Sequence, residues 1–152
     1  MNSNRPIPAR LTVFAAVALS AAVLAACSNG EQAAPTVNAS SLNGHTFVST
    51  EVTGHQLVPG STVRLHFENG DLSARAGCNT MGAPYAITAD ELRWTGGARS
   101  TMMACDPALM SQDAWLTDFL DRGAAVTLDG PTLTLTSGAT TLTLRQDDAA
   151  KN

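Results

Sequence analysis

The chain has 152 residues, a formal charge of −4 and three cysteines. That length holds one compact domain and is too short for two. Lys151 is the only lysine, so the sequence offers no basic patch, and the acidic balance disfavours nucleic acid and anionic lipid headgroups as partners.

Arg5 and Arg10 precede an apolar run from Leu11 to Ala26 that ends in Leu24-Ala25-Ala26-Cys27. A basic start, an apolar stretch and small residues at a cleavage point make a secretory signal. The cysteine directly after them makes a lipobox, so the segment resembles a bacterial lipoprotein signal. A membrane-spanning helix is the alternative, but the run falls short of the roughly 20 residues that a bilayer requires. The expectation is therefore cleavage between Ala26 and Cys27, acylation of Cys27, and an exported protein held by lipid on the outer face of the cell membrane. Two or more acyl chains suffice for stable anchoring without a transmembrane helix.

Residues 1–26 are thus read as signal peptide and residues 27–41 as lipidated cysteine and tether. Ser28 to Ser40 is small, polar and without periodicity. The folded domain is expected over 42–146, with a polar tail over 147–152. Short alternating runs dominate it. His45 to Val52 is β-branched between Gly44 and Gly54. In Thr62 to Glu68, Val63, Leu65 and Phe67 fall on one face, and Arg64, His66 and Glu68 on the other. Asn69-Gly70 supplies a tight hairpin, and Asp71 to Ala76 returns. Tyr85 to Thr88 and Glu91 to Thr95 form a further pair around Ala89-Asp90.

The pattern changes once. Asp106-Pro107 reads as N-cap and first helical position. Leu109, Leu116, Phe119 and Leu120 then recur at helical spacing, and Gly123 ends the element. A helix is expected over about 106–122. Strands resume at Ala125 to Leu128, Thr132 to Thr136 and Thr140 to Arg145, with leucines on one face and threonines on the other. The fold class is mainly β: an antiparallel curved sheet or small barrel with one helix inserted late.

With Cys27 taken by lipid, Cys78 and Cys105 remain. An even remainder in an exported domain reads as one disulfide, worth roughly 3 kcal/mol. Buried reduced thiols are one alternative. A metal or redox site is another, without CxxC spacing or further ligands to support it.

Two motifs stand together: Ala76-Gly77-Cys78-Asn79-Thr80-Met81-Gly82, and Ser100-Thr101-Met102-Met103-Ala104-Cys105-Asp106. With Leu42-Asn43-Gly44-His45-Thr46-Phe47 at the start and Leu133-Thr134-Leu135 near the end, the chain resembles the META domain, the family of the HslJ heat-shock protein. Gly77, Cys78, Asn79, Thr101, Met103 and Cys105 carry the motif. Gly54 to Gly60 resembles the form found in actinobacterial lipoproteins. Asp113 stands where many relatives carry Glu. The resemblance implies a compact antiparallel β-fold with one helix, an envelope location, and an association with stress tolerance in some relatives. It implies no catalytic residues.

Gly77-Cys78-Asn79 reads first as a tight turn, with a binding role for Asn79 as the alternative. If Cys78 bonds Cys105, both motifs form one stapled corner, and that alone accounts for them. His45, His55 and His66 lack a free thiolate to activate. His66 is expected to be solvated, and His55, in a Gly/Pro-bounded loop, is a candidate ligand contact. Trp94, beside Gly96-Gly97, is the second candidate, as an exposed side chain. Phe119 is assigned to the core. The sequence holds no recognisable nucleophile, metal or phosphate-loop motif. The expectation is a non-enzymatic, monomeric envelope module without cofactor or metal, whose partner is the membrane through Cys27 and an envelope protein. Alternatively it carries a small apolar ligand in the curved sheet.

Overall fold

The computed structural model describes residues 36–147 and 149. The signal segment, Cys27 and most of the tether lie outside the described residues. Among the described residues nine strands form one antiparallel sheet in the order β3-β2-β1-β9-β8-β7-β5-β4-β6, and β3 also pairs with β4. That last pairing closes eight strands into a barrel and leaves β6 as an extra strand on β4. The expected small barrel is therefore present.

The first element among the described residues comes earlier than the expected start of the domain. Asn38 caps the short helix α1 (Ala39–Leu42), its side chain accepting from the Ser41 N–H, while Ser41 answers the Asn38 N–H. Val37 and Leu42 are buried, so the tether predicted to run to residue 41 joins the domain by Val37. Burying these two side chains is what fixes the segment.

Strands β1 (His45–Thr53), β2 (Arg64–Glu68) and β3 (Asp71–Arg75) follow as a meander. Asn69 and Gly70 both take positive φ, 52° and 83°, as the two-residue hairpin requires. Strand β4 (Thr80–Thr88) begins five residues before its predicted start. Gly82 and Pro84 hid its first half. Proline is tolerated because β4 changes partner there: β6 (Arg99–Ser100) pairs with Met81 and Gly82, β5 (Glu91–Trp94) with Tyr85 to Thr88. The chain loops outward between them, over residues 95–98.

Helix α2 (Pro107–Arg122) starts as predicted, with the Asp106 carboxylate accepting from the Ala108 N–H at 2.9 Å. Gly123 at φ 87° turns the chain into β7 (Ala124–Asp129). The last meander is β8 (Thr132–Ser137) and β9 (Thr140–Gln146), with β9 closing on β1. The seam between β5 and β7 has only two residue pairs, Glu91↔Ala125 and Leu92↔Ala124. Helix α2 packs beside this short seam, where Arg93 pairs with Glu91 and donates to the Arg122 carbonyl at 3.0 Å.

Alternation along β2, β3, β5, β7, β8 and β9 sends side chains into the interior. Leu65, Phe67, Leu72, Leu92, Leu133, Leu135, Leu142 and Leu144 are fully buried, together with Leu116, Phe119 and Leu120 of α2. Phe47 meets Phe67 edge-on at 5.9 Å, and Phe67 meets Tyr85 at 5.2 Å.

Candidate functional site

The motif residues converge on one corner, where the loop before β4, the loop before α2 and the buried face of α2 meet. Asp113 organises it. Its carboxylate accepts from three successive backbone N–H groups: Gly77 (2.9 Å), Cys78 (3.2 Å) and Asn79 (2.7 Å). Without it, the Cys78 and Asn79 amides would be buried donors without this acceptor, each costing about 1–3 kcal/mol, and the half-buried Gly77 amide would lose the same acceptor. The loop thus wraps a carboxylate much as nests of backbone amides wrap anions.

Asn79 uses both ends of its side chain. Its Oδ1 accepts from Thr101 Oγ1 at 2.9 Å and from the Met103 N–H at 2.8 Å. Its Nδ2 donates to Asp113 Oδ2 at 3.3 Å. Thr101 Oγ1 in turn accepts from the Thr80 N–H. Cys78 and Cys105 form a disulfide with Cα atoms 6.1 Å apart, the predicted pairing. Gly77 is required by close approach: a Cβ there would lie 2.5 Å from the Leu109 carbonyl oxygen and 3.2 Å from Asp113 Oδ1.

Next to Asp113, Gln112 ties a third loop in. Its Oε1 accepts from the Val58 N–H at 2.6 Å, and its Nε2 donates to Ser61 Oγ and to the Ala76 carbonyl. Neither Gln112 nor Asp113 is prominent in the motif reading. The signal was present, however. Leu109, Gln112, Asp113, Leu116 and Leu120 occupy one helical stripe, and two polar residues on an otherwise apolar stripe mark a buried polar contact.

The two candidate ligand contacts separate. Trp94 is only 4% exposed, so the expected exposed contact is corrected. It alternates with Leu92 into the core, and the strand period overrides the glycines that follow it. His55 lies in its predicted loop, stacked on Trp115 with ring centroids 3.8 Å apart and planes 6° apart. Burial lowers its imidazole pKa from the ordinary range. His66 is half-exposed on the outer face, with Nδ1 against Thr46 Oγ1 at 2.9 Å and Nε2 at 3.6 Å from Glu68. Phe119 is in the core, as expected.

Two surface features went unseen in the sequence. Met102, Met103 and Met110, all at the stapled corner, are the exposed large apolar side chains among the described residues. The expected lack of a basic patch is also corrected. Register sets Arg75 opposite Arg64, Arg64 opposite Val48, and Val48 opposite Arg145, in one row across the outside of the barrel. Lysine counting misses a patch that three arginines, distant in sequence, assemble across four strands.

Among the described residues no cluster of His, Cys, Asp and Glu is placed to hold a metal ion, and no helix is long and apolar enough to cross a membrane. The META domain family model matches residues 40–149. Two structures solved by NMR are similar. One protein is 28% identical, with a TM-score of 0.59, over 72% of this chain and 94% of its own. The other, from Burkholderia xenovorans, is 20% identical, with a TM-score of 0.58, over 80% of this chain and 97% of its own. No curated protein matches.

Proposed function

Because the chain belongs to the META domain family and engages its motif residues with one another, we propose that it is a lipid-anchored envelope module that acts through its surface and not through a catalytic centre. One observation carries this reading. The polar groups of Asn79, Gln112 and Asp113 are satisfied inside the protein, each by backbone or side-chain partners. A catalytic centre needs groups left available for substrate; this corner keeps helix α2 on the barrel instead.

The address rests on Leu24-Ala25-Ala26-Cys27. A disulfide suits an oxidising compartment, which agrees with export. The partner in this reading is an envelope protein, met by the domain on its tether. The filled barrel interior, with Phe47, Phe67 and the inward leucines packed together, favours a surface role over carriage of an apolar ligand within the sheet.

The test is the intact mass of the full-length gene product from its own membrane fraction, with thiol alkylation before and after reduction. The proposal expects a chain starting at Cys27 with acyl chains attached, and two cysteines alkylated only after reduction. Cys27→Ser is expected to abolish acylation. A chain that retains residues 1–26 without acylation would overturn the anchoring.

A further inference from the structure

We infer that the cavity beside Arg64 and Arg75 is an oxyanion site for a phosphate ester. The cavity holds about 250 Å³ and is walled by the Gly60–Thr62 loop and by the two arginines, with no carboxylate in its lining. That volume is several times the roughly 30 Å³ share of one water, enough for a phosphate group.

The register makes the case. Arg64 and Arg75 are direct cross-strand partners on the outer face. Like charges so placed destabilise a sheet. Asp147 relieves one of them, pairing with Arg64 at 2.9 Å. The Arg75 guanidinium has no ion-pair or hydrogen-bond partner among the described residues, whereas those of Arg64, Arg93, Arg99 and Arg122 each have a carboxylate. A local cost without internal compensation is a mark of a binding site. An anion between the two guanidinium groups would remove it.

The geometry also selects the anion. Cβ atoms of directly opposed residues stand about 5 Å apart, so two guanidinium forks can approach one group from two sides. A tetrahedral phosphate has oxygens for both, while a planar carboxylate is filled by one fork. The facing wall is held in place: Ser61 Oγ donates to the Val58 carbonyl at 2.6 Å and accepts from Gln112 Nε2 at 2.8 Å. The Thr62 hydroxyl, exposed on the same wall, adds a neutral donor. The site is independent of the lipid anchor, and its phosphate ester is either dissolved or part of a lipid headgroup.

Arginine side-chain N–H resonances of the full-length protein in neutral detergent read this site directly. Inorganic phosphate and glycerol phosphate test the dissolved source. Nanodiscs of phosphatidylglycerol against phosphatidylcholine test the headgroup source. Saturable shifts of Arg64 and Arg75 with either phosphate probe, or with phosphatidylglycerol alone, support the site and name its source. Arg75→Gln is expected to weaken binding about tenfold, and Arg145→Gln, outside the cavity lining, to leave it within twofold. Acetate is expected to bind more weakly than phosphate. Because Arg75→Gln removes a like-charge pair, it is expected to keep or slightly raise Tm. Absence of saturable shifts with every phosphate probe would overturn the proposal, as would equal loss in the two variants.

Discussion

The C-terminal meander of β7, β8 and β9 and the stapled corner of α2 belong to one domain but hold together by opposite means. The meander is local. Leu133, Leu135, Leu142 and Leu144 alternate inward with threonines outward, and the backbone ladder does the rest. The corner is long-range. Asp113 reaches loop residues 34 to 36 positions away, and the disulfide spans 27. In the meander, apolar burial and strand period carry stability; in the corner, a few polar atoms do.

The sharpest way to break that contrast is to remove the carboxylate. Asp113→Ala leaves two buried amides and one half-buried amide without this acceptor and is expected to destabilise by about 4 kcal/mol, read as a drop in urea midpoint at unchanged m-value. The expectation is well above the 0.5–1.5 kcal/mol of an ordinary hydrogen bond. Opening the disulfide by Cys78→Ala with Cys105→Ala comes next, at about 3 kcal/mol for a loop of this span, again by urea titration.

A smaller effect is expected from pH. Burial of the ring, which lies stacked on Trp115, lowers the His55 pKa in the folded state. The unfolded chain therefore takes up the proton first. Stability from this group is complete above its unfolded pKa of about 6.5 and is lost as pH falls toward the lowered folded value. Trp115 fluorescence should change as the ring titrates, with a midpoint below 6.5, and His55→Gln should remove the titration. The smallest effect belongs to the meander's outer face. Thr134→Ala is expected to change stability by no more than about 0.5 kcal/mol, a quarter or less of a Leu135→Ala loss. If the threonine change rivalled Asp113→Ala, the contrast between the regions would fail.

The same division governs what could be read from the sequence. Period-two alternation placed the meander, and Asn69-Gly70 placed the first hairpin, because both signals are local. The capped helix was legible from Asp106-Pro107 for the same reason. Strand β4 was only half legible, since Gly82 and Pro84 look like a turn until the change of partner is known. Trp94 was misplaced because Gly96 and Gly97 outweighed its alternation with Leu92. The disulfide followed from cysteine arithmetic. The reach of Asp113 to the Gly77–Asn79 amides, and the arginine row of Arg64, Arg75 and Arg145, required register and helix position together.

Amide hydrogen exchange at Gly77, Cys78 and Asn79, in the parent chain and in Asp113→Ala, tests most directly whether the motif is a structural staple. The account predicts that in the parent these three amides exchange only through global unfolding, at the rate of the central β8 and β9 amides. In Asp113→Ala they should exchange faster than the β8 and β9 amides of the same variant. Fast exchange at all three in the parent chain would contradict it, because the carboxylate would then not be holding the loop.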